Sequence, residues 1–262
     1  MTTEKTQRLT IRISSWSMLF STTNGREVVF ERYPLKSGIS LAANMREALQ
    51  QSPMLQEEYL RAYVMVDTPV LTVPVDLFNQ KDSEALYRYT FTLQGQQTVM
   101  HAVLPELNAV AVFPIQKDLL QVITEHFGKV TVMPVAATVW RHAHQKSFTG
   151  PRAKLYAYFH DRRMEVFCFT QNRFKFTNSF AVNNPNDAVY YMLSVWKLLG
   201  MVPEEDELHL TGTLPDKEAL TELVRQFIRR VYVNNPSGEF NRSAVTQIEG
   251  MPYDMMLHYL KR

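Results

Sequence analysis

Cysteine is almost missing from this 262-residue chain, which holds only Cys168. One thiol cannot form an intramolecular disulfide or a cysteine-rich zinc site, so a reducing, cytoplasmic location is expected. Long apolar runs are missing too. None approaches the roughly 18 residues that suggest a membrane span. The polar stretch Met1 to Arg8 has no apolar segment of the kind a secretory leader carries, so neither a span nor a leader is expected. Glycine is scarce, at nine residues. No Gly-x-x-x-x-Gly-Lys-Ser/Thr and no Gly-x-Gly-x-x-Gly occurs, which excludes a P-loop and a dinucleotide fingerprint.

Apolar residues are plentiful, at 45% of the chain. That suffices for one large packed domain or two smaller ones. The net charge is only +2, but it is unevenly spread. Residues 129–180 carry nine basic side chains (Lys129, Arg141, Lys146, Arg152, Lys154, Arg162, Arg163, Arg173, Lys175) against two acids, Asp161 and Glu165. Such a band can attract a polyanion. It can equally be the solubilising ends of strands and hairpins.

The apolar pattern alternates with period 2 at Leu9, Ile11 and Ile13, a strand. Further strands are expected near Met18 to Ser21 and Val28 to Phe30, with a turn at Thr23-Asn24-Gly25. Ser40 opens a helix carrying Leu41, Met45, Ala48 and Leu49 on one face, and Ser52-Pro53 ends it. Strands follow over Ala62 to Val66 and Val70 to Val75, then a short helix from Asp82 to Tyr89. Strands at Val99 to Leu104 and Leu107 to Phe113 precede a helix from Gln116 to Phe127, closed by Gly128. A strand from Val130 to Val135 and a helix from Ala136 to Gln145 lead to Ser147 to Pro151, the best linker signal.

Past the linker the order begins again. Leu155 to Phe159, Met164 to Phe169 and Phe174 to Phe180 form a three-strand meander. The helix from Asp187 to Leu199 is apolar on most sides, so burial on more than one face is expected. Leu208 to Leu210 is a short strand. Thr213-Leu214-Pro215-Asp216 fits a capping box with proline in the first turn. The helix after it is expected to carry Leu220, Leu223, Val224, Phe227, Ile228 and Val231. Asn234 to Arg242 reads as loop, and Pro252 opens a terminal helix. The boundary expected is 1–148 for the first lobe and 149–262 for the second. Element order repeats between them although residue identity does not.

Strand–strand–strand–helix–strand–helix, used twice, resembles the actin-like ATPase fold, a ribonuclease-H-like duplication. The segment from Leu155 through Asp161 and Gln171-Asn172-Arg173 to Phe180 has the rhythm of the second-lobe meander in the divergent, PilM-type branch. Gln116 to His144 has the rhythm of the segment before it. The chain also resembles a Bacteroidetes family of unknown function with this fold. The resemblance implies an α/β protein of two lobes. It also implies what an active member carries: Asp-x-Gly in the first hairpin of each lobe, where the acid helps hold magnesium and glycines let backbone N–H groups approach phosphate. Ile13-Ser14-Ser15-Trp16-Ser17 has neither acid nor glycine, and Tyr158-Phe159-His160 stands where the second motif is expected. Thr211-Gly212-Thr213 holds one glycine where the adenosine site of such folds has two.

Few other residues invite chemistry. Cys168 alternates within a strand and reads as a buried, inert thiol. His142-x-His144 on a helix points to two faces. Asp67, after the strand Val64-Met65-Val66, is placed like a catalytic acid, and equally like a turn starter before Thr68-Pro69. His160-Asp161-Arg162-Arg163 is the most polar hairpin tip. An Arg pair can hold phosphate or carboxylate, so Arg162, Arg163 and Gly212 are the anion-site candidates. No catalytic residue, cofactor or metal ligand is assigned. The expectation is a pseudo-ATPase scaffold that binds a protein partner. The alternatives are a nucleotide- or anion-binding protein with an atypical phosphate site, and a nucleic-acid-associated factor using 129–180. The last is disfavoured, because successive hairpin turns place the basic residues at opposite ends of the meander.

Overall fold

The computed structural model describes residues 8–24, 27–148 and 150–260. Gly25 of the expected turn and Thr149 of the expected linker lie outside the described residues. The chain divides into two compact units, residues 1–105 with 109–137, and residues 106–108 with 138–262.

The first unit opens with β1 (Leu9–Ile13), β2 (Ser17–Asn24) and β3 (Glu27–Pro34), an antiparallel meander. In β1, Leu9, Ile11 and Ile13 occupy one face and Thr10 and Arg12 the other, and all five are buried. Helix α1 (Leu41–Gln51) follows, capped by Ser40 Oγ, which accepts from Ala43 N at 3.1 Å. The cap satisfies a backbone donor that the first helical turn leaves without a partner. β4 (Ala62–Val66) then pairs with β1 in parallel. A smaller module comes next: β5 (Leu71–Pro74), α2 (Ser83–Thr90), β6 (Gln97–Leu104) and β7 (Ala109–Gln116). Its strands make a separate sheet of order β5-β7-β6, with Tyr87, Val110 and Val112 as its core. Helix α3 (Lys117–Phe127) packs against α1 and ends at Gly128, whose φ of 65° suits a helix-terminating glycine. β8 (Val130–Pro134) adds to β4 in parallel, completing the order β3-β2-β1-β4-β8.

Helix α4 (Val135–Ser147) begins in the first unit and belongs to the second from Thr138 onward. The division therefore falls inside this helix, ahead of the Ser147 to Pro151 stretch. The second unit repeats the scheme with β9 (Lys154–His160), β10 (Arg163–Thr170), β11 (Arg173–Ala181), α5 (Pro185–Leu198), β12 (Glu207–Gly212), α6 (Lys217–Arg225) and β13 (Arg230–Val233). The sheet order is β11-β10-β9-β12-β13, with β9, β12 and β13 parallel. α7 (Pro236–Glu239) and α8 (Tyr253–Met256) close the chain. The core lies on one face of the sheet. Leu155, Ala157, Phe159, Val166 and Leu210 meet Met192, Val195 and Trp196 of α5 and Leu220 and Val224 of α6.

Three expectations for this unit need correction. α5 is buried on one face only: Tyr190 and Leu198 are 68% and 72% exposed, while Val189, Met192, Val195 and Trp196 face the core. α6 stops at Arg225, and Val231 sits in β13. Ile228 and Val231 join the same core, so the spacing of three and four runs on past the helix end, while Val231 and Val233 obey the period of a strand. The cap of α6 is Asp216, not Thr213. Asp216 adopts φ 41° and accepts from Ala219 N at 3.2 Å, whereas Thr213 N donates to Phe159 O at 2.9 Å.

β11 lies at the edge of its sheet, with Arg173 and Lys175 exposed. Among the described residues, no helix is long and apolar enough to cross a membrane.

Candidate functional site

In the first unit the β1–β2 turn is closed by its own serine. Ser14 Oγ accepts from the backbone N–H of Trp16 and of Ser17, each at 3.2 Å. The Ser14 hydroxyl donates to Ser17 O at 3.3 Å, and Ser14 N donates to the same oxygen at 3.0 Å. A phosphate cradle needs turn N–H groups aimed outward. Here two of them are taken by Ser14. Asp67, at the end of β4, donates its backbone N–H to Ile13 O at 2.8 Å, extending the parallel pairing by one step.

The β9–β10 turn has a different construction. Asp161 and Arg162 adopt φ 44° and 59°, the left-handed pair of a two-residue hairpin. Arg162 is exposed at the tip, and its carbonyl accepts from Val182 N at 3.0 Å. Arg163 has entered β10, where its guanidinium donates to Ser179 Oγ and lies 3.8 Å from Glu165. His160, 5% exposed, stacks on Tyr158 at 4.8 Å. Gly212, the third anion-site candidate, has φ 92°, and a Cβ there would lie 2.1 Å from Phe159 O. Glycine is required at this position by the close approach of β12 to β9.

Two of the remaining candidates part company. His142 Nε2 lies 2.6 Å from Glu239 Oε1, while His144 packs against the rings of Phe148 and Phe169 at 5.0 and 5.5 Å. Cys168 is buried in β10, and burial pushes its thiol up to about 11. A thiol held that far above neutral is not a nucleophile.

A second polar cluster lies on the other face of the second sheet, beneath α4. Four rings stack across neighbouring strands: Phe167 on Tyr156 at 5.2 Å, Tyr156 on His209 at 4.8 Å and His209 on Tyr232 at 5.0 Å. Burial holds the His209 imidazole below its ordinary value. Beside this ladder, Glu239 Oε1 accepts from His142, from Lys146 Nζ and from Tyr253 OH, the last at 2.8 Å. Burial by itself would raise the Glu239 carboxyl, but these three donors outweigh it and hold the group below the usual carboxylate value. Burial, and then the Glu239 charge, push the Tyr253 phenol up. Tyr158 OH donates to the fully buried Asp254 at 2.7 Å, and Asn234 Nδ2 donates to Thr211 Oγ1 at 2.7 Å. A cavity of about 10 Å³ opens among His142, Lys146, Tyr156, Thr211, Asn234 and Tyr253. That is room for a single water and for no organic ligand.

Sequence reasoning missed Glu239, Tyr253 and Asp254. Glu239 meets His142 across 97 positions of chain, so no local pattern marks the pair. Much of the basic band is used here and nearby: Lys146 on Glu239, Arg152 at 3.7 Å from Glu207, Arg163 on Glu165, and Lys154 buried.

A family model described as "Protein of unknown function (DUF3822)" matches residues 1–231. A crystal structure from Bacteroides thetaiotaomicron VPI-5482, of a protein with actin-like ATPase fold and unknown function, is 28% identical in sequence. It covers 94% of this chain and 97% of its own, with a TM-score of 0.83. The PilM-PilN type IV pilus biogenesis complex matches at 10% identity and a TM-score of 0.59, covering 98% of each chain. No curated protein matches.

Proposed function

Since the chain belongs to the DUF3822 family of proteins of unknown function and has the actin-like ATPase fold, we propose that it is a scaffold that works by binding another protein and not by phosphoryl transfer. One observation carries this reading. The positions that would cradle phosphate in this fold are filled by the chain's own atoms: Ser14 takes the N–H groups of the first turn, Arg163 is engaged by Glu165 and Ser179, and Phe159 O occupies the space beside Gly212. PilM, which shares the fold, occurs in a complex with PilN, so the architecture is compatible with an assembly role. We take the lobes to be 1–148 and 149–262, and the site of action to be the cytoplasm, in keeping with the single buried Cys168.

Thermal melts and calorimetric titration with millimolar Mg-ATP test the reading. A ligand whose Kd exceeds its concentration adds less than about 0.5 kcal/mol of stability, a shift of about 1–2 °C in a chain of this size. A shift of several degrees with saturable heat, or phosphate release above the protein-free rate, overturns the scaffold reading in favour of a nucleotide site of new design.

A further inference from the structure

The family model stops at residue 231, so it leaves out the end of β13 and everything that follows it. That last segment adds no strand to the sheet. It consists of α7, one 3-10 turn over Ala244–Gln247 and α8, with Asn241, Arg242 and Gly250 between them at φ 49°, 55° and 75°. Its backbone joins the sheet where Asn234 N donates to Leu210 O of β12 at 2.8 Å, and no longer ladder follows among the described residues. The tying is done by polar anchors, Asn234 on Thr211, Asp254 on Tyr158 and Glu239 on α4, by Phe240 beside His142 and Tyr253 beside Tyr158, each at 6.0 Å, and by burial of Phe240, Val245, Met251, Tyr253, Met255 and Met256.

Glu239 is the anchor with an unbalanced account of hydrogen bonds. Oε1 takes all three donors, while Oε2 is buried and has no hydrogen-bond partner among the described residues. A buried carboxylate oxygen left without a donor is costly, and such groups are usually satisfied by an ordered water. The three donors to Oε1 also line the cavity of about 10 Å³, together with Thr211 and Asn234. Its size suits one water, and its walls supply the two to four polar partners such a water needs.

We propose that Glu239 and one buried water clasp the C-terminal segment to α4, so that residues 234–256 form a strap that opens as a local unit over the polar face of the second sheet. Desolvation of Glu239 offsets part of its attraction to Lys146, whose side chain is 45% exposed and partly screened by water. A segment held this way opens at a fraction of the cost of unfolding the sheet. Opening uncovers Tyr156, Tyr158 and Thr211 while leaving the core against α5 and α6 intact, because the strap and that core lie on opposite faces.

Native-state hydrogen exchange on the full chain and on Glu239→Gln tests this. Amides of 138–147 and 236–256 are expected to exchange at least tenfold faster in the variant, with β9, β10 and β12 unchanged. Unchanged rates in the strap overturn the clasp. A uniform rise across the second unit does so too, since it marks ordinary loss of core stability. If Glu239→Gln does not fold, Lys146→Met removes one donor from the clasp, and a smaller rise confined to the same segments is the expected result. A crystal structure fine enough to order buried solvent decides the remaining point: a water bonded to Glu239 Oε2 is expected, and a dry cavity removes the water from the proposal.

Discussion

The two units share one plan of strands and crossover helices and differ in what is added to it. Each sheet has three antiparallel strands and two parallel additions, in the orders β3-β2-β1-β4-β8 and β11-β10-β9-β12-β13. Between its fourth strand and the helix leading to its fifth, the first unit inserts the β5-β7-β6 module with α2. The second passes from β12 through α6 directly to β13. Their first hairpins also diverge. One is closed by a serine side chain, the other by two left-handed non-glycine residues. What the plan demands is alternation of apolar residues and parallel crossovers through helices. It makes no demand on the turns. A fold can therefore keep its architecture while its turns are built from different residues.

Substitutions on the two faces of α5 sharpen that contrast between plan and periphery. Trp196 is 3% exposed and part of the second core. Trp196→Ala is expected to cost about 3–5 kcal/mol, the range for truncating a buried aromatic, read as the shift in urea midpoint. Tyr190→Ser on the outer face should stay within about 0.5 kcal/mol. A larger loss would mean that Tyr190 is covered in solution.

Gly212→Ala is expected to rank next, at about 2–4 kcal/mol, because a positive φ and a steric conflict with Phe159 O act together. Full stability in that variant would show that β12 and β9 can separate locally at little cost. Ser14→Ala should have a smaller effect than Gly212→Ala, about 1 kcal/mol, since water can reach part of the turn when the hydroxyl is gone. Its further use is diagnostic. If Ser14 alone keeps the first turn from accepting phosphate, the variant should gain measurable Mg-ATP binding. If it gains none, the missing acid matters more than the filled N–H groups.

Much of this was legible in the chain itself. The strands of both meanders, the Ser40 cap and the Gly128 stop follow from local periods and local hydrogen bonds, and the structure places them where those rules do. β13 was hidden because two core positions, Ile228 and Val231, prolong the helical spacing of α6 by coincidence. The Asp216 cap was hidden because an aspartate at φ 41° carries no mark in sequence. Burial of α5 was overestimated because apolar side chains such as Tyr190 and Leu198 need not be inside. The Glu239 cluster was illegible for another reason. Its members come from α4, α7 and α8, and only the folded second unit brings them within bonding distance.

One feature of the second sheet bears on how the protein behaves at high concentration. A nine-residue border strand such as β11 offers its unpaired backbone to any passing copy, the first step toward fibrous aggregates. Arg173 and Lys175 sit on that border, so an approaching copy in parallel register would bring cation against cation. The opposite border, β13, is only four residues long. Colloidal protection of the sheet thus rests on charge at one margin and brevity at the other. Neutralising the two cations of β11 should leave the fold unchanged and shorten the time the protein stays in solution.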